Sequence, residues 1–201
     1  MAEAANELSA RLLERQVDPR AVCALLDSAT HEQRLGAVRS LHKTAQRRLY
    51  DAVEGFLPVR LADLVPPEVS DMAPVRHFGR NTLPAFRDFE KRFCRPEGLD
   101  PEQPDHLYGF NFQSVSWLTG PGYFVARNSA EGPEVRIDYH EVPPVAPAGW
   151  PEIRPNEQGL SRFVYGFMVD TLRRVSTHVT VGRAARKGRD MDSWFVLCQP
   201  G

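Results

Sequence analysis

The stretch Val135-Arg136-Ile137-Asp138-Tyr139-His140-Glu141-Val142 alternates with period two. Val135, Ile137 and Tyr139 fall on one face of an extended chain, and Arg136, Asp138 and His140 on the other. A half-buried strand is the reading, and its neighbours repeat it. Upstream, Glu131-Gly132-Pro133 marks a turn, a second strand runs over 123–127, and Gly120-Pro121-Gly122 marks another turn. Before that, Tyr108, Phe110, Phe112, Ser114 and Ser116 alternate with Gly109, Asn111, Gln113, Val115 and Trp117. The apolar face of this third segment, 107–118, switches near Ser114, which predicts a bulge or bend. Three antiparallel strands in a meander account for all of it.

Downstream, 143–159 holds five prolines and two glycines, a crossing too long for a tight connection. Beyond a dense apolar segment at 163–169, residues 173–183 read as one strand. Val175, Val179 and Val181 face one way; Arg174, Ser176, His178 and Thr180 face the other. Gly188 turns the chain, and 193–198 closes it as a last strand. Met168-Val169-Asp170-Thr171-Leu172-Arg173-Arg174-Val175-Ser176, followed by Trp194-Phe195-Val196-Leu197, resembles the closing strands of the plastid-lipid-associated (fibrillin) lipocalin-like domains. The likeness lies within 168–197, with a longer insert between its two pieces and no counterpart to the earlier part of that domain. Such domains are thought to hold lipids or prenylquinones. The resemblance implies a lipocalin-like barrel and carries no site residue across.

The front of the chain has a different period. Leu8, Leu12 and Leu13 share a helical face, Asp18-Pro19 starts a second helix with Val22, Leu25 and Leu26 inward, and Thr30 with Gln33 forms a capping box. Leu35, Val38, Leu41, Ala45, Leu49, Val53 and Phe56 recur every three or four residues, predicting one continuous helix that stops near Gly55. In the proline-rich stretch that follows, Pro84 opens a helix with Phe86, Phe89 and Phe93 on one side. The expected organisation is a helical segment over 1–60, a proline-rich connection with one helix over 61–105, and an antiparallel β region over 106–201, co-folded as one domain. The fold class is α+β, with N-terminal helices packed on a curved antiparallel sheet or small lipocalin-like barrel.

Composition narrows the function classes. The 201 residues are 42% hydrophobic and 25% charged with a formal charge of −1, ordinary globular usage that argues against a DNA-binding protein. Charge is nonetheless uneven: +1 over 1–60, −6 over 61–160 and +4 over 161–201. No apolar run is long enough to span a membrane. The start lacks a signal-peptide pattern, and Cys23, Cys94 and Cys198 form no metal-binding spacing, so a cytoplasmic protein without metal or cofactor is expected. There is no Gly-x-Ser-x-Gly elbow, Walker loop or Gly-x-Gly-x-x-Gly.

The partner class that fits is an apolar or amphipathic small molecule, held by aromatic side chains of the strand region. Tyr108, Phe112, Trp117, Tyr123, Tyr139 and Tyr165 are the candidate lining, with Arg174 and His178 suited to an anionic group. The competing reading is that these rings fill a core and these cations face water. Asp138 and His140 share a strand face, so the histidine could act as general base with the carboxylate in support, as in metal-free isomerases, cyclases or dehydratases. The competing reading makes that face a solvated one. A third option is an interaction module, the apolar stripe of the N-terminal helices docking a partner or a second copy to form a homodimer. The basic run 183–189 leaves open a peripheral membrane contact.

Overall fold

The computed structural model describes residues 2–84, 87–112, 120–156 and 165–200. Among the described residues five helices come first: α1 (Ala2–Leu13), α2 (Pro19–Ser28), α3 (His31–Ser40), α4 (Lys43–Ala52) and the single turn α5 (Leu61–Leu64). Eight strands follow among them: β1 (Val75–Asn81), β2 (Asp88–Cys94), β3 (Leu107–Phe112), β4 (Tyr123–Asn128), β5 (Val135–Asp138), β6 (Met168–Arg174), β7 (Val179–Arg186) and β8 (Arg189–Cys198). Each strand pairs antiparallel with the next, and β8 closes on β1 through Gly79↔Leu197 and its neighbours. The product is a closed up-and-down barrel of the lipocalin type, which leaves no free sheet edge. Among the described residues no helix is long and apolar enough to cross a membrane.

The helical starts obey the local signals. Asp18 accepts from Arg20 N–H at 2.9 Å, and Thr30 and Gln33 exchange their capping-box hydrogen bonds. The predicted continuous helix over 35–56 is instead two helices, interrupted at Leu41 and His42. Leu41 is extended, His42 Nδ1 caps Ala45 N–H, and Gln46 Nε2 donates to the Leu41 carbonyl at 3.1 Å inside the protein. Side chains that offer the backbone such local partners end a helix despite an unbroken apolar stripe. That stripe does not await a partner. Leu8, Leu12, Val38, Leu49 and Val53 pack in one buried cluster with Val179, Val181, Trp194, Val196 and Cys198, on the outer wall of β7 and β8.

Two further readings are corrected. The helix expected at Pro84 is a β-hairpin, with Phe89 and Phe93 on β2. Phe89, Lys91 and Phe93 share its inner face at a spacing of two, which the wider spacing to Phe86 masked. The single strand expected over 173–183 is two strands joined at 175–178, where the Val175 and Ser176 amides both donate to the Val179 carbonyl. The expected bend at Ser114 lies outside the described residues.

Inside the barrel, ring packs on glycine. Gly79 pairs with Phe89, Gly109 with Phe124 and Gly182 with Phe195, each across one strand boundary. In each pair the phenylalanine ring lies where a Cβ on the glycine would come closer than 3.0 Å. The missing Cβ thus makes room for a ring, which in turn covers the exposed backbone. Leu61, Leu64 and Val65, in and beside α5, join the inner cluster and cap one end of the barrel.

Candidate functional site

Three of these rings converge on a charge. Lys91, in the middle of β2, points into the barrel and is 2% exposed. Its ammonium lies 4.8 Å from the Phe195 ring centroid, 5.1 Å from those of Phe124 and Tyr139, and 5.8 Å from that of Phe89. A cation over ring faces is attracted to their quadrupoles, most strongly when dry. Lys91 Nζ also donates to Asn111 Oδ1 at 2.9 Å, to Asp170 Oδ2 at 3.1 Å, and to the Tyr139 hydroxyl. Its three donors are therefore all used. Tyr139 Oη in turn accepts from Asn111 Nδ2 at 2.9 Å and donates to Asp170 Oδ2 at 3.1 Å.

The Lys91–Asp170 pair is almost without solvent contact, its side chains 2% and 3% exposed. Burial pushes the lysine down and the aspartic acid up, while each partner's charge opposes the shift of the other. Burial and the Asp170 charge hold the Tyr139 phenol well above its ordinary range. One acceptor is left over: Asp170 Oδ1 is buried and has no hydrogen-bond partner among the described residues. A buried carboxylate oxygen without a donor is costly, so this atom is the natural anchor for a donor brought by a ligand or water. Above the network Tyr139 stacks on Tyr165, centroids 5.6 Å apart at 14°, and the Tyr165 ring covers Gly122.

The candidate lining residues scatter over this frame. Tyr139 and Tyr165 are inside and touch. Tyr108 and Tyr123 face outward from the barrel wall. Tyr123 is buried there under the 140–156 connection, with Phe110 and Trp150 beside it and its hydroxyl donating to Pro151 O at 2.5 Å. Tyr108 joins Cys94 and Val125 in a small outer cluster. Phe112 is 42% exposed, with the Arg92 guanidinium over its ring at 4.3 Å. Trp117 lies outside the described residues. Strand parity explains the pattern: in β3 and β4 it is Leu107, Gly109, Asn111, Phe124 and Ala126 that face in.

The expected acid–base pair does form, Asp138 Oδ1 to His140 Nδ1 at 2.7 Å. It sits on the outer wall, because Val135, Ile137 and Tyr139 take the inner face, and its side chains are 31% and 40% exposed. Neither residue lines a described pocket.

Arg174 and His178 come together at the α5 end. They line a cavity of about 10 Å³ with Ser176, Thr180, Gln199 and Asp63. That volume suits one water. Arg174 is committed to Asp63 at 2.9 Å, whereas Ser176 Oγ, Thr180 Oγ1 and His178 Nδ1 have no partner among the described residues. Burial and the nearby Arg34 hold His178 below its usual range. Among the described residues no group of three or more His, Cys, Asp or Glu side chains is placed to hold a metal ion.

Lys91, Asn111 and Asp170 escaped the sequence reading because each is one polar residue on an apolar strand face. The signal was present as Phe89-Glu90-Lys91-Arg92-Phe93, a lysine between two inward rings. Compared with protein-family models, curated proteins and solved structures, the chain matches none.

Proposed function

We propose that the protein binds a small amphipathic molecule through its barrel. The polar end of the ligand reaches the Lys91–Asp170–Tyr139–Asn111 network, and its apolar body lies against the surrounding rings. The observation that carries this reading is the buried ion pair with a spare carboxylate oxygen. Removing two charges from water is expensive, and apolar side chains of similar volume would fill the barrel at equal or lower free energy. A perturbed, desolvated pair of this kind is what a binding or catalytic centre uses. The ligand is a hydroxyl or amine donor at one end, since Lys91 has no hydrogen left to offer and Asp170 Oδ1 accepts. A second reading, a metal-free enzyme working by proton transfer, draws on the same centre: Lys91, Tyr139 and Asp170 are dry and mutually hydrogen-bonded, unlike the half-exposed His140 and Asp138. The free cysteines, Cys94 and Cys198 among them buried, fit a reducing, cytoplasmic setting.

The test is native mass spectrometry of the purified protein, paired with titration of an environment-sensitive apolar dye. Saturable uptake at one site, competed by an amphipathic alcohol or amine and lost in Asp170→Asn, is expected. No co-purified ligand and no saturable uptake removes the proposal.

A further inference from the structure

The break between α3 and α4 faces a depression of about 230 Å³, closed on its other side by the β1–β2 hairpin. Leu41, His42, Lys43, Arg80, Thr82 and Arg87 line it, and no carboxylate does. We propose that this depression is a binding site for a phosphoryl group, separate from the barrel interior.

Three permanent cations come from two elements that are far apart in sequence, which is an arrangement rather than a run of basic residues. The chain as a whole carries −1, so the local excess is not a general basicity. Two of the cations have exposed partners. Lys43 pairs with Asp192, which is 73% exposed, and Arg80 with Asp88 at 3.2 Å, which is 54% exposed. Pairs in that much water hold weakly and exchange readily for a dianion. Arg87 is the surplus charge: its Nε donates to the Leu83 carbonyl at 3.1 Å, and it has no carboxylate partner among the described residues. Counting both rim carboxylates, the site keeps one net positive charge. The first turn of α4 adds to it, having no acidic residue of its own. Two guanidinium forks and one ammonium around a single depression match an acceptor with three equivalent oxygens better than a planar carboxylate.

A phosphoryl group can come from a soluble phosphomonoester or from a lipid head, and the experiment separates the two. Calorimetric titration with inorganic phosphate, at ionic strength held constant with chloride, reads the soluble source. Flotation with phosphatidylcholine vesicles, with and without phosphatidic acid, reads the lipid source. The variants are Arg87→Gln and Lys43→Gln, both at exposed positions, with an unchanged melting temperature as the folding control. Expected is binding in at least one arm that weakens about tenfold in each variant, the usual effect of deleting a hydrogen bond to a charged group. Phosphate binding assigns a soluble ligand, and binding confined to phosphatidic acid vesicles assigns a lipid head. Binding in neither arm, or binding that both variants retain, overturns the site. None of these outcomes depends on whether Asp170 anchors a ligand inside the barrel.

Discussion

His77 shows how one side chain carries a measurable pH dependence. It lies inside the barrel, 2% exposed, and its Nε2 is 2.9 Å from the Leu64 carbonyl of α5. A carbonyl only accepts, so the ring is the neutral Nε2–H tautomer, tying β1 to the cap of the barrel. Burial drives its pKa from 6.5 down to about 4, against the pull of that hydrogen bond. Between these values the unfolded chain takes up a proton that the folded protein refuses. The folded state keeps its full advantage above pH 6.5 and loses it as pH falls toward 4, by about 3 kcal/mol in all. Asp170, raised by burial, contributes in the opposite sense over the acidic part of that window, so the readout is a difference between proteins. Urea unfolding of wild type and His77→Gln at several pH values between 4 and 7 is the measurement. The glutamine amide can still donate to Leu64, and the wild-type slope should exceed that of the variant. Parallel curves would mean that His77 protonates without penalty.

At the scale of the element, the barrel wall depends on its cross-strand glycine and phenylalanine pairs. The three atoms nearest a Cβ at Gly182 all belong to the Phe195 ring, whereas at Gly109 they are two of the Phe124 ring and the Arg92 backbone carbonyl oxygen. A ring can tilt and a backbone carbonyl cannot, so Gly109→Ala should cost more than Gly182→Ala. Overpacking of this kind costs about 1–3 kcal/mol. Adding Phe195→Leu should restore part of the loss in Gly182→Ala, and Phe124→Leu should restore little in Gly109→Ala, as read from urea midpoints. The same pairs explain what was legible beforehand. The strands at 123–127 and 193–198 show in their dense apolar and aromatic residues, and β5 in the strict alternation of 135–142, although that pattern runs on past Asp138, where the strand ends. β1 did not, because Gly79 offers no side chain to the period and Arg76, His77 and Arg80 dilute it. β2 has the pattern of a helix, because Phe86, Phe89 and Phe93 satisfy a helical spacing as well as Phe89 and Phe93 satisfy an extended one. Only pairing with β1 and β3 resolves that ambiguity, and pairing is a property of the closed barrel. Tyr139 and Tyr165 were found as candidates because aromatics are conspicuous. Asp170 is invisible as a site in the sequence, since its ion-pair partner Lys91 lies 79 positions away and meets it only across the barrel.

For the molecule as a whole the question is whether the buried network serves the fold or the ligand, and the two roles predict different mutant series. Removing one member leaves its partners charged or unpaired in a dry interior. Lys91→Met strands the Asp170 carboxylate beside the Tyr139 hydroxyl and should cost about 3–5 kcal/mol. Replacing the entire network strands nothing. The variant Lys91→Met, Asn111→Leu, Tyr139→Phe, Asp170→Leu keeps the volume near its original value and leaves the three surrounding rings, Phe89, Phe124 and Phe195, with apolar neighbours. Its stability by urea unfolding should lie within about 2 kcal/mol of wild type, because a desolvated ion pair and a packed apolar cluster of equal size are close in free energy. The helical layer over β7 and β8 is untouched, so the barrel should stay closed, which far-UV circular dichroism reports. In the same variant the dye or native-mass-spectrometry signal for an amphipathic ligand should vanish, since the apolar walls remain but the polar anchor is gone. A stable quadruple variant that still takes up the ligand would place binding elsewhere. One that loses the summed cost of its single substitutions would make the network a structural keystone, with no call on a ligand.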